Sequence, residues 1–307
     1  MRFAYVLATV AALTGCDIGK ITVNTTSKVL LRAQPSLQQE ADYEMARQAI
    51  PGALKTVEGF WIVDPDNERL IKILTEGYCQ YGTAFVEDDW EVAKFKKDID
   101  AIEYHNNRST KIFTRCLNYA LKTLGGRWQK EIFHDDMSKV TKLIADTGKG
   151  KRFPLMFAGA ALGSIINHNL TRIELIAYLP TVQAILERVV EIDTKKGAPA
   201  NKAHAALPYV ALGMIHTARG KAMGGDPDKG KAMFEMALKV TDNKFLLART
   251  LMAYRVGLAN NDRKFFHDQL KIVLETPPSV WPEQRLANEV AHRKARRYLS
   301  HEKDLFQ

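Results

Sequence analysis

The chain has 307 residues, 46% hydrophobic and 26% charged, with a formal net charge of +9. That balance supplies enough apolar material for a sizeable core and excludes a disordered tail. A basic excess would suit nucleic acid in the cytoplasm; outside it, acidic headgroups, acidic partners or anionic solutes are the fitting counterparts.

At the N-terminus Arg2 gives a short positive region, residues 3–13 form an apolar stretch too short to span a bilayer comfortably, and Leu13-Thr14-Gly15 leads into Cys16. This order resembles the lipobox of bacterial lipoproteins. The resemblance implies a signal peptide over residues 1–15, cleavage before Cys16, and lipid attachment at Cys16. Acyl chains gain about 0.8 kcal/mol per buried methylene, so several of them hold a protein firmly at a membrane. The body would then work on the periplasmic side of the envelope, with no nucleic acid among its partners. By the same resemblance Asp17 favours the inner membrane, the outer membrane being the alternative. An ordinary secretory leader or a buried first helix is the plainer reading of these residues.

Residues 17–35 are polar, with Asn24-Thr25-Thr26-Ser27, and read as a tether, so that a lipidated tether covers 16–35 and the folded body 36–307. From Ser36 onward almost every segment has helical period and length. Helices are predicted near 37–49, from Pro51 to 63, 68–86, 108–124, 129–145, 153–167, 171–192, 203–222, 227–241, 244–259, 262–275 and 282–300. Breakers separate them: Asp64-Pro65-Asp66-Asn67, Gly125-Gly126, residues 148–150, Pro199, Gly224-Gly225-Asp226-Pro227, Asn260-Asn261-Asp262 and Pro277-Pro278. No segment alternates with a period of two, so the fold class is all-α. Residues 153–166 are strongly apolar but fall short of the roughly 20 residues a membrane span needs. They predict a central helix packed on several sides, with Gly159 and Gly163 allowing close approach. Helix pairs joined by short turns suggest a degenerate tetratricopeptide-like repeat array of about 11–12 helices, although no clean 34-residue period is present. Cys79 and Cys116 sit on helical segments that could pack and bond, and each is equally suited to being a buried free thiol.

Few motifs point to chemistry. Residues 225–231 approach a phosphate-binding loop, but Ala232 stands where a hydroxyl must hold magnesium and Pro227 removes a donor, so a capped helix start is the better reading. Asp88-Asp89-Trp90-Glu91 and His134-Asp135-Asp136 lack a second carboxylate set at one-turn spacing. They read as helix starts or exposed turns, and an enzyme acting on lipid-like substrates through them is the least favoured class. The eight histidines are scattered, with no H-E-x-x-H and no C-x-x-C, so no cofactor and no metal is expected. On the last helix Arg293, Arg296 and Arg297 share one side and read as a solvated basic face, with Glu289 and Arg293 spaced to pair.

The second half resembles the T component of TRAP (tripartite ATP-independent periplasmic) transporters, the TatT family. The resemblance rests on the run from Gly224-Gly225-Asp226-Pro227 to Leu238, on Lys244-Phe245-Leu246-Leu247, on Phe265-Phe266, and above all on Pro282-Glu283-Gln284-Arg285-Leu286-Ala287-Asn288. In the first half Gly77-Tyr78-Cys79-Gln80-Tyr81-Gly82 and Arg115-Cys116-Leu117-Asn118-Tyr119 fit the same family. It implies a non-enzymatic periplasmic lipoprotein of tetratricopeptide-like helices that can form a homotrimer. Such a protein would dock the solute-binding subunit of an organic-acid uptake system. Tyr78, Tyr81, Asn118, Tyr119 and Asn288 are the candidates for a ligand or partner groove, with helix packing as their plainer role. A scaffold lipoprotein in envelope assembly, unconnected with transport, is the alternative function.

Overall fold

A computed structural model describes residues 17–218 and 224–306, and none of these residues lies in a strand. Cys16 and the leader lie outside the described residues, as does the end of the helix predicted over 203–222. The longer helices are α1 (Ile18–Ala33), α2 (Tyr43–Val63), α3 (Glu68–Tyr81), α4 (Glu87–Lys96), α5 (Ile99–Leu124), α6 (Met137–Ala145) and α7 (Arg152–Asn167). After them come α8 (Leu179–Lys196), α9 (Lys202–His216), α10 (Pro227–Val240), α11 (Leu246–Ala259), α12 (Arg263–Glu275) and α13 (Arg285–Ser300). The all-α expectation is met. None of the described helices is long and apolar enough to cross a membrane.

Packing follows chain order. α2 lies on α3, α3 on α5, α5 on α7, α7 on α8, and so on to α11, which receives both α12 and α13. α13 then turns back onto the short helix Pro35–Gln38 and onto α2, so the path closes on its own beginning. One large apolar cluster runs from Val23 to Leu212 and takes in Leu286 of α13, and two smaller ones lie under α9–α11 and α11–α13. α7 is the central helix that its composition predicts, with Leu155, Met156, Ala158, Ala161, Leu162 and Ile166 all nearly inaccessible. A Cβ at Gly159 would stand 2.8 Å from Ile185 Cγ2, so only glycine lets α7 and α8 approach this closely.

The helix predicted over 68–86 ends at Tyr81, that over 108–124 begins at Ile99, that over 171–192 divides into Ile173–Ile176 and α8, and α4 stands outside the predicted spans. Three further expectations need correction. Residues 18–33 form a helix and not a loose tether: Val23 and Ser27 are buried, α1 packs on α2 and α3, and Arg69 Nη1 donates to Asn24 Oδ1 at 2.8 Å. The helix is possible because Asp17 caps it, accepting from the Lys20 amide at 3.1 Å. Pro51 does not begin a helix but sits inside α2. An interior proline costs roughly 3 kcal/mol, and here burial of Ala46, Ile50, Leu54 and Val57 along one face offsets it. Residues 129–145 divide at the His134–Asp136 turn, where Asp136 caps α6 by accepting from the Ser138 amide at 2.9 Å.

The start of α1 and the end of α2 meet: a Cβ at Gly19 would lie 3.4 Å from Val63 Cγ1. Around that junction Ile18, Ile21, Ile62 and Val63 are all exposed. These exposed apolar side chains lie around the start of the described chain.

Candidate functional site

Between α3 and α4 the chain makes a π-helical turn, Gly82–Val86, a widened geometry that often marks functional or strained sites. Gly82 is needed there, since a Cβ would fall 2.7 Å from Phe113 Cζ of α5. The turn leads into the acidic run Glu87–Glu91, whose side chains diverge to partners on four other elements. Glu87 Oε1 faces His168 Nε2 at 3.2 Å, beyond the C-terminus of α7. Asp89 pairs with Arg47 of α2 at 2.8 Å and with Arg108 of α5 at 3.4 Å.

Asp88 and Glu91 reach across more than 200 residues of sequence to α13. Asp88 Oδ2 accepts from Arg293 Nε at 2.7 Å and from Tyr43 Oη at 3.2 Å, and Oδ1 accepts from Arg297 Nη2 at 2.6 Å. Glu91 Oε2 accepts from Lys294 Nζ at 2.7 Å and from Arg297 Nη2 at 2.6 Å, while Oε1 accepts from Tyr298 Oη at 2.9 Å. Burial opposes the charged form of both carboxylates, but Lys294 and Arg297 overcome it and hold both below their ordinary range. Burial, reinforced by Glu91, pushes the Tyr298 hydroxyl far up. This cluster joins the two ends of the helical path.

The solvated basic face expected on α13 is therefore mostly absent. Lys294 is a buried and Arg297 a half-buried partner of the acidic run, Arg293 is half-buried on Asp88, and of the three arginines only Arg296 is exposed. Glu289 pairs with Arg285 at 2.6 Å and not with Arg293. The acidic run does start a helix, as expected, yet Asp88 is wholly buried.

The groove candidates fall into separate places. Tyr78 of α3 and Tyr119 of α5 stack with ring centroids 6.1 Å apart, and Trp61 meets Tyr119 edge-on at 5.3 Å. The Cys79–Cys116 disulfide, Cα–Cα 5.4 Å, ties α3 to α5 beside them and decides the question that the cysteine spacing leaves open. Tyr119 Oη donates to Glu58 at 3.1 Å; the Tyr78 hydroxyl is buried near Glu58 without a hydrogen bond of ordinary geometry. Burial and Glu58 push both phenols up. Tyr81 belongs to the Asp89 group, accepting from Arg108 Nη2 at 2.7 Å. Asn118 is exposed. Asn288 is fully buried in α13, far along the chain, where it accepts from the Leu246 amide at 3.0 Å and donates to the carbonyls of Lys244 and Pro278. Glu58 and Arg108, which organise the tyrosines, carry no motif that sequence reading could use.

The phosphate-loop look-alike is a capped helix start: Asp226 accepts from the Lys229 amide at 3.0 Å and Pro227 occupies the first turn of α10. No group of three or more metal-ligating side chains occurs among the described residues.

An uncharacterized protein of Treponema pallidum (strain Nichols) is 23% identical over 285 residues, which covers 87% of this chain and 81% of the relative. The family model of the TRAP transporter T-component matches residues 39–306, from just after the short helix Pro35–Gln38 to the end of the described C-terminus. That span takes in both halves of the helical path and the cluster that joins them, and the chain belongs to the TRAP transporter T-component family.

Proposed function

We propose that this chain is a lipid-anchored periplasmic protein that holds the solute-binding subunit of a TRAP-type organic-acid uptake system at the membrane. The observation that carries the reading is the family match over residues 39–306. The helical body, packed mainly between chain neighbours, is read as a degenerate tetratricopeptide-like scaffold that acts by binding, and a homotrimer is part of the same proposal. Two local features support the location. The Cys79–Cys116 disulfide suits an oxidising compartment. Ile18, Ile21, Ile62 and Val63 are exposed around the start of the described chain, two residues after Cys16 in the sequence at the nearest, where acyl chains on Cys16 would bring them toward lipid. Asn118, exposed beside the buried Tyr119, is the groove candidate best placed to meet a partner.

Affinity capture of the tagged full chain from native membranes in mild detergent tests the reading. Solute-binding and permease subunits are expected to co-purify. Recovery of envelope-assembly proteins without them would favour the scaffold alternative. Mass spectrometry of the mature N-terminus is expected to find acylated Cys16; an unmodified Cys16, or a cut elsewhere, would remove the anchor.

A further inference from the structure

A cleft of about 660 Å³ opens between α10, α11 and α12, within the size range of small-molecule sites. Leu238, Met252 and Phe265 supply its apolar lining, and Lys231, Glu235, Lys239, Asp242 and Arg249 are its charged residues. α11 contains no acidic residue, and Arg249 has no carboxylate partner among the described residues. Neutral amides hold its guanidinium: Nη1 donates to Gln269 Oε1 at 2.7 Å and Nη2 to Asn243 Oδ1 at 3.0 Å. Its Nε–H is buried and has no acceptor. An arginine carries five N–H donors in a planar fork, and a carboxylate is the small anion whose geometry fits that fork. Burial without any opposing anion pushes the Arg249 pKa down, so the charge is left uncompensated.

The two acids of the lining face lysines. Asp242 pairs with Lys202 at 2.6 Å, and Glu235 faces Lys231 at 3.9 Å, whose Nζ stands 5.1 Å from the centre of the Phe265 ring. The lining holds three cations, Lys231, Lys239 and Arg249, against the two acids Glu235 and Asp242. That formal excess of one positive charge suits a single carboxylate, and the apolar wall favours a body beyond the charged head.

We propose that this cleft binds a small monocarboxylate with an apolar body, its carboxylate completing the donors of Arg249 and its body lying along Phe265. The site goes beyond the docking reading and does not depend on it, since it needs only the cleft and its guanidinium.

Fluorine NMR on the purified full chain tests it, with 4-fluorophenylacetate as the probe and neutral 4-fluorophenylacetamide as its control. The carboxylate is expected to bind at least about tenfold more tightly than the amide, and Arg249→Gln to abolish that difference. Inorganic phosphate at equal concentration is expected not to displace it. Equal binding of acid and amide to the wild-type chain, an undiminished preference in Arg249→Gln, or displacement by phosphate would each overturn the proposal. If Arg249→Gln fails to fold by circular dichroism, Phe265→Glu at a half-buried position asks the same question. It is expected to weaken the carboxylate at least about tenfold while affecting the amide less, and an equal loss for both probes would contradict the proposal.

Discussion

Arg297 and Arg249 are both partly buried arginines on long helices of the second half, and their surroundings are opposite. Arg297 bonds Asp88 and Glu91 and sits beside Arg293 and Lys294 in a cluster that joins α13 to α4. Arg249 is held by two neutral amides and faces a cleft with no carboxylate partner. A compensated cluster costs stability when one member is removed, because the rest stay buried and unpaired. An uncompensated charge costs stability as it stands, and the chain retains it for something other than folding. The first arrangement therefore reads as closure of the fold and the second as recognition.

The largest effect is expected from Asp88→Ala, which leaves Arg293 without its carboxylate and Arg297 with Glu91 alone, and should cost about 3–5 kcal/mol in denaturant unfolding. A loss no larger than that of Arg249→Gln would break the comparison. Next comes removal of the Cys79–Cys116 bond by a double serine variant, expected to cost about 2–4 kcal/mol for a cross-link of this loop length. It bears on the first half alone, so the carboxylate preference of the Arg249 cleft should survive it.

Acid separates the two regions further. Asp88 and Glu91 have folded pKa values below their unfolded ones. Their contribution is thus fully present above the ordinary carboxylate range near pH 4 and lost as pH falls through the lowered values. In acid titrations monitored by circular dichroism, Asp88→Asn should flatten the decline in stability below about pH 4, and Arg249→Gln should leave it in place. Arg249→Gln itself is expected to change stability by less than about 1 kcal/mol, since lost hydrogen bonds are offset by relief of a buried charge. The smallest effect belongs to the half-buried Arg285–Glu289 pair on α13, where Glu289→Ala should cost about 0.5 kcal/mol or less in the same unfolding assay.

Local patterns carried a good part of the fold. Period and breakers predict α7, α10, α12 and α13 closely, and Asp226-Pro227 announces its own cap. What sequence could not supply is pairing at a distance. Asp88 and Arg297 stand 209 residues apart, and nothing local links an acidic run to a basic face, so the run reads as a helix start or exposed turn and the face as solvated. The tether reading of residues 17–35 failed because a run of Asn, Thr and Ser hides a one-sided helix whose only deeply buried residues are Val23 and Ser27. Pro51 misled because a breaker rule weighs one backbone donor and not the apolar face that spans it. Tyr78 and Tyr119 do meet, as neighbours of a disulfide, but Asn288 belongs to a different contact altogether. Arg249 was missed although it carried a signal, a basic residue within a helix that has no acid to pair with it.

The central claim, that the chain holds a solute-binding subunit at a membrane, is tested most directly by vesicle flotation. Lipidated full-length chain in phospholipid vesicles, mixed with the solute-binding subunit, should carry that subunit into the floating fraction. A Cys16→Ser chain should leave it at the bottom of the gradient. A subunit that stays at the bottom with the lipidated wild-type chain would contradict the account.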